Sequence, residues 1–270
     1  MKARALAFSG AAVLLALSAA GCAGDGEGAG GGPEGKDEGR AVRTVRTLRD
    51  GQLRRAELGP SEVPGLLIEK ASPGTAGSGR PSTPAAACRP LVVALGSQPQ
   101  PVPEASVVNT FARGSRDRGF EGLLGTIRVS AYRGEDARTT LRQLREAAGA
   151  CGGGFRMRTG EGQAQTFRAV RTLPAPRLGD EAVAYRLENA AERAPSLVTV
   201  VRTGNVLAMF FATHLSDPAA VEIPDRLVRA QVAKVEQLKR TETPPPAPSD
   251  RSAGPAPEGG EAGDTDEGEE

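Results

Sequence analysis

Residues 126–133, TIRVSAYR, alternate apolar and polar side chains without a break. Ile127, Val129 and Ala131 fall on one side, and Arg128, Ser130 and Tyr132 on the other. Successive side chains of a strand point to opposite faces, so this period of two predicts a strand with one face turned to a core. Segments 165–173 and 181–188 continue in the same manner. The strongest run is LVTVVRTGNVLAMFFAT at 197–213, two apolar stretches split by Gly204-Asn205. Gly and Asn tolerate positive φ, so the pair marks a hairpin. Both of its stretches are apolar on both faces, which predicts a central position with cover on each side.

Elsewhere the period changes to that of a helix. Ala137, Leu141, Leu144, Ala148 and Cys151 fall at steps of four and three, one buried stripe on a helix whose other face is charged. Gly152, Gly153 and Gly154 stop it just beyond Cys151. Cys88, Leu91, Val92 and Leu95 form a second, shorter stripe ended by Gly96, with Pro90 fitting a first helical turn. Asp217-Pro218 reads as the N-cap and first residue of a closing helix through Leu227, Val228, Val232, Val235 and Leu238. Roughly 150 to 190 residues of such material suffice for one domain with its own core.

The ends of the chain follow neither period. Met1 to Arg4 form a short basic start, and an apolar run follows that is too short to span a bilayer comfortably. After it stands Ala19-Ala20-Gly21-Cys22. This stretch resembles the lipobox of bacterial lipoproteins, with Ala19 where leucine is more usual. The resemblance implies cleavage after residue 21 and acylation of Cys22 with diacylglycerol and a palmitate-type chain. The alternative is an ordinary secretory signal with an incidental cysteine. Residues 22–40 hold glycines and acids with no large apolar side chain, and 241–270 hold proline, glycine and acids. Neither segment can offset chain entropy by burial, so both read as disordered, a tether and a tail around a domain at 41–240. Gly26 to Gly31 fits G-x-G-x-x-G, and Gly30 to Lys36 fits most of a P-loop. Neither follows a strand or opens a helix, and Asp37 stands where Ser or Thr would hold magnesium, so both are composition.

Charge and cysteine usage refine this division. The total is +1, yet the acids concentrate in the tether and tail and leave the 41–240 region with an excess of about ten positive charges, mostly Arg. That excess reads as a solvated Arg-rich surface, or as attraction to anionic headgroups or wall polymers. Of three cysteines, the lipobox takes one. Cys88 and Cys151 remain, an even pair expected to form a disulfide in an oxidising compartment and to pin two helices to one core.

The order of elements resembles the PknH-like extracellular sensor domain family. The residues that carry the likeness are LGPSEVPG at 58–65 before a polar stretch, ACRPLVVALG at 87–96, the strands, the helix ending in cysteine, the meander and a last helix. The likeness spans residues 50–240. It implies an α+β fold, an antiparallel β-sheet with helices packed on one side, and a large cleft for an extracellular ligand. Members occur as the outer domain of a receptor kinase and as free-standing lipoproteins. The kinase sensor has two disulfides where this chain can make one, and no kinase domain is present here.

Catalytic candidates are few. His214 is the only histidine, no G-x-S-x-G elbow accompanies it, and it reads as a loop or strand-edge residue. Asp180-Glu181 would point to opposite faces of a strand and so could not flank one glycosidic bond; they read as a turn. Two cysteines and one distant histidine do not make a zinc site, and no metal or other cofactor is expected. With seven Phe, two Tyr and no Trp there is no stacking platform for nucleic acid. Arg128, Ser130 and Tyr132 are the candidate cleft wall, a face that also reads as solvated sheet. The expectation is a non-enzymatic lipoprotein, lipid-anchored on the extracytoplasmic face of the cell membrane. It would be a ligand-binding or sensory module for a small molecule, lipid or glycan. The alternatives are an accessory lipoprotein binding an envelope protein and, more remotely, an envelope hydrolase.

Overall fold

A computed structural model describes residues 48–72, 75, 79–115, 119–191 and 194–242. Cys22, the signal segment, the tether and the acidic tail beyond residue 242 lie outside the described residues, while Thr241 and Glu242, read as the start of that tail, close the last helix. The described residues form four α-helices, α1 (Asp50–Leu53), α2 (Arg89–Leu95), α3 (Asp136–Ala150) and α4 (Asp225–Glu242). They also form eight strands: β1 (Leu66–Lys70), β2 (Ala105–Ser115), β3 (Gly119–Ala131), β4 (Phe155–Arg158), β5 (Ala164–Leu173), β6 (Glu181–Asn189), β7 (Ser196–Thr203) and β8 (Val206–His214). All eight join one sheet in the order β1-β2-β3-β8-β7-β6-β5-β4, with every neighbouring pair antiparallel. Among the described residues no helix is long and apolar enough to cross a membrane.

The hairpin at 197–213 occupies the middle of this sheet, as its two-sided apolar pattern predicts. Thr203 pairs with Val206 across the turn, and Gly204 takes φ +61°. Alternation then divides the hairpin between two cores. Val201, Val206, Ala208, Phe210 and Ala212 face one side, where they meet Ile127, Val129 and Ala131 of β3 and Leu227, Val228, Val232 and Val235 of α4. Val198, Val200 and Leu207 face the other side, against Leu141, Leu144 and Ala148 of α3 and Leu91 and Val92 of α2. Close approach is enforced at Gly125 of β3, beneath the Phe111 ring. A Cβ there would lie 2.0 Å from the Phe211 carbonyl oxygen and 2.5 Å from Phe111 Cζ.

The antiparallel α+β sheet and the disulfide agree with the sequence reading, but the helices do not share one side. α3 lies against β5, β6 and β7 on one face, whereas α4 lies against β7 and β8 on the opposite face, with α1 against β2 and β3. A central hairpin apolar on both faces exposes too much hydrocarbon if only one face is covered, and that requirement overrides the one-sided arrangement. The closing helix also starts later than expected. Asp217 caps only a short 3-10 turn at Pro218–Ala220, its side chain accepting from the Ala219 N–H at 2.9 Å. Pro224 disfavours a helical residue before it, and α4 begins at Asp225 with Leu227 and Val228 N–H groups donating to the Pro224 carbonyl.

Candidate functional site

Each cover is narrower than the sheet. α3 and α2 cover one face over β5, β6 and β7, and that cover ends near β8 and β3. At this edge a cleft of about 470 Å³, counted to its open mouth, lies between α2, α3 and the sheet. Only about 40 Å³ of it is wide enough for a water-sized sphere, so its inner part is slim. Val200 of β7 and Leu207 and Met209 of β8 form the apolar floor. Pro90, Val93 and Ala94 of α2 and Leu144 of α3 form the walls, and Pro99 and Gln100 overhang from the segment after α2.

Arg128, Ser130 and Tyr132 all line this cleft. The alternation that sends Ile127, Val129 and Ala131 into the α4 core turns Arg128 and Ser130 to the opposite face. Tyr132 follows the end of β3, held there by its N–H donating to the Asn205 carbonyl at 2.9 Å. Arg128 is 9% exposed, and its Nη1 donates to the Ala94 carbonyl at 3.3 Å, in the last turn of α2. Carbonyls at a helix C-terminus carry partial negative charge, which suits a cation there. Among the described residues no carboxylate pairs with Arg128. Burial pushes this guanidinium below its ordinary value, opposed only by the Tyr132 hydroxyl. Burial likewise pushes Tyr132 up, while Arg128 and a hydrogen bond with Ser130 pull it back. Ser130 Oγ lies 2.9 Å from Ser106 Oγ, so three hydroxyls run in a chain beside the guanidinium.

The disulfide fixes the cleft wall. Cys88 and Cys151 are bonded with their Cα atoms 5.8 Å apart, tying the start of α2 to the end of α3. Pro90 to Ala94 thereby sit over β3 rather than swinging free.

The remaining sequence candidates lie elsewhere. His214 ends β8, is buried, and accepts the Asp217 N–H on Nδ1 at 2.9 Å, which leaves the ring a structural role at that corner. Asp180 and Glu181 do meet at one partner, unlike adjacent residues within a strand, because Asp180 precedes β6. Arg202 Nη1 donates to Asp180 Oδ2 and Nη2 to Glu181 Oε1, both at 2.9 Å. Burial opposes ionisation of Glu181, but hydrogen bonds from Arg202 and Arg145 outweigh it and hold its carboxyl below the usual range. A guanidinium therefore occupies both carboxylates. Among the described residues no group of three or more His, Cys, Asp or Glu could hold a metal ion.

A second hollow opens beside β1, where Arg54, Lys70 and Lys234 alternate with Glu57, Glu62 and Glu69. Four of its charges pair with one another: Lys234 Nζ donates to Glu62 Oε2 at 2.7 Å, and Lys70 lies 4.0 Å from Glu57. The cleft at Arg128 differs in holding a buried charge with no opposite charge beside it. Its α2 and α3 residues were not visible as site residues in the sequence. Leu144 and Leu207 read there only as core, and no local signal places α2 across β3.

No family model matches the chain. No curated protein matches it. Among solved structures it is similar to the extracellular domain of PknH from Mycobacterium tuberculosis, at 12% identity over 73% of this chain and 99% of that chain, with a TM-score of 0.48. It is also similar to a putative uncharacterised protein from Mycobacterium smegmatis, at 14% identity over 70% of this chain and 94% of that chain, with a TM-score of 0.32.

Proposed function

We propose that this chain is an extracytoplasmic ligand-binding or sensory module, held at the membrane through acylated Cys22 and using the Arg128 cleft to hold its ligand. The carrying observation is the cleft itself, a largely apolar concavity lined by one buried charge and by the hydroxyl-bearing Ser130 and Tyr132. The lipobox-like stretch before Cys22 and the burial-poor tether after it support the anchoring. The reading requires binding rather than turnover, since the acids and the histidine identified in the sequence are engaged elsewhere. Native mass spectrometry of the full chain incubated with an envelope lipid and glycan extract tests it. A discrete adduct lost on substituting Val93→Trp, which fills the cleft from α2, is the expected result. A bare spectrum from a folded protein would remove the ligand-binding reading.

The accessory reading draws on a different feature. Phe120 and Leu215 are exposed at the same end of the sheet, where the Leu215 N–H donates to the Gly122 carbonyl. Two large apolar side chains in water at one corner suit a protein contact. Crosslinking in intact cells, with and without Phe120→Ser and Leu215→Ser, separates this reading from the first.

A further inference from the structure

The cleft can be assigned a ligand chemistry, an inference that rests on the reading of the cleft as the ligand site. A guanidinium has five N–H donors in a planar fork that matches a carboxylate or phosphate edge. Arg128 gives one bond to the Ala94 carbonyl, no other protein partner is found for it among the described residues, and the side chain lines the cleft. Arginine stays protonated in proteins, so the charge persists without a counter-ion from the chain. Isolated buried charges are costly unless paired, and here the described protein offers no pair. Ser130 and Tyr132 stand next to the guanidinium and add hydroxyls to whatever head group meets it.

The rest of the inner cleft is mostly apolar. The floor of Val200, Leu207 and Met209 has no charged group. Past Pro90, Val93, Gln100 and Gln143 the cleft continues into a groove beside α2 and α3, lined by Ala86, Ala147 and Ala150 and also by Arg89 and Glu146. Counted to its open mouth the groove holds about 900 Å³, against about 470 Å³ for the cleft. Small side chains just before α2 and on α3 leave a track that begins at a buried cation and is largely apolar, with Arg89 and Glu146 the charged residues along it.

We propose that the cleft binds a slim amphiphile, its acidic head on Arg128 and its unbranched hydrocarbon chain along the groove beside α2 and α3. A free fatty acid and a lipid phosphate share this chemistry, and the head group of the probe distinguishes them.

The test uses the full chain carrying Cys22→Ser, which removes the lipid attachment point. Binding of decanoate, decyl phosphate and decanol is measured by isothermal titration below their aggregation limits. One or both anions should bind at least about tenfold more tightly than decanol, the usual difference for a hydrogen bond to a charged group. The tighter anion names the source, a fatty acid or a lipid phosphate. Arg128→Met should abolish the preference for the anion over decanol. Because the head-group series is read on the native cleft, it stands even if that variant fails to fold. Equal affinity for decanol and both anions would overturn the acidic head and leave the cleft as a binding site. No binding of any probe, with an envelope adduct that Val93→Trp abolishes, would overturn the amphiphile and leave the proposed function standing. No binding of any probe and no envelope adduct would overturn both.

Discussion

Arg128 and Arg202 show how two buried arginines on one sheet come to differ. Both side chains face strand surfaces that α3 only partly covers, yet Arg202 receives Asp180 and Glu181 while Arg128 receives a carbonyl. In the first arrangement both terminal nitrogens meet carboxylates, and it responds to acid. Glu181 has its folded value depressed below 4.5, so its contribution to stability is present above the unfolded value and is lost as pH falls through the folded one. Thermal melts should show the melting temperature dropping as pH is lowered below about 4.5, and dropping less in Glu181→Gln. A second residue-scale expectation concerns Tyr185. Its ring is wholly buried, and its hydroxyl finds no hydrogen-bond partner among the described residues, so burial pushes the phenol far above its ordinary value. Tyr185→Phe removes an unmet polar group without opening a cavity. It should leave stability unchanged or raise it by up to about 1 kcal/mol in urea denaturation.

The elements that could be read locally are those whose partners lie on both sides. β3, β7, β8 and α3 carry long, regular periods because each packs along most of its length. β1 and β4 occupy the two sheet edges, with 5 and 4 residues, too short for a period to accumulate. β2 was obscured by Asn109, a polar residue buried at 2% exposure among Val107 and Phe111 on the core face. The beginning of α4 was misplaced because Asp217-Pro218 has a capping pattern that serves a 3-10 turn equally well. At this scale the disulfide is decisive, since it joins the short α2 to the longer α3. Replacing Cys88 alone, or both Cys88 and Cys151, with Ala should cost a similar amount, about 2 to 5 kcal/mol in denaturant titration. Ligand binding should weaken in both variants, because α2 carries one wall of the cleft. Unchanged stability in either would argue against the staple.

Across the whole molecule, the two covers are offset. One lies over β5 to β7 and the other over the β2, β3, β7 and β8 side, on opposite faces. The offset leaves an open rim beside each cover, and the Arg128 cleft is the rim where α2 overhangs β3. A ligand there would touch helix and sheet together, so binding should raise the melting temperature, increasing with the logarithm of ligand concentration above Kd. At the same scale, Cys22→Ser should move the protein from the membrane fraction to the soluble fraction, read by fractionation and immunoblot. Retention on membranes would remove the lipid anchor from the proposal.

By itself, the sequence determined the strand and helix periods, the central hairpin, the cysteine pair and the acidic, burial-poor ends. Each is a property of neighbouring residues or of composition. It also placed Arg128, Ser130 and Tyr132 together, because alternation puts every second residue on one face. Tertiary structure alone decided that this face is roofed by α2, that the helices divide between two faces and that Arg128 meets a carbonyl rather than a carboxylate. Those outcomes depend on contacts between separate elements, Arg128 and Ala94 being 34 residues apart, and no local period encodes which other segment will cover a strand.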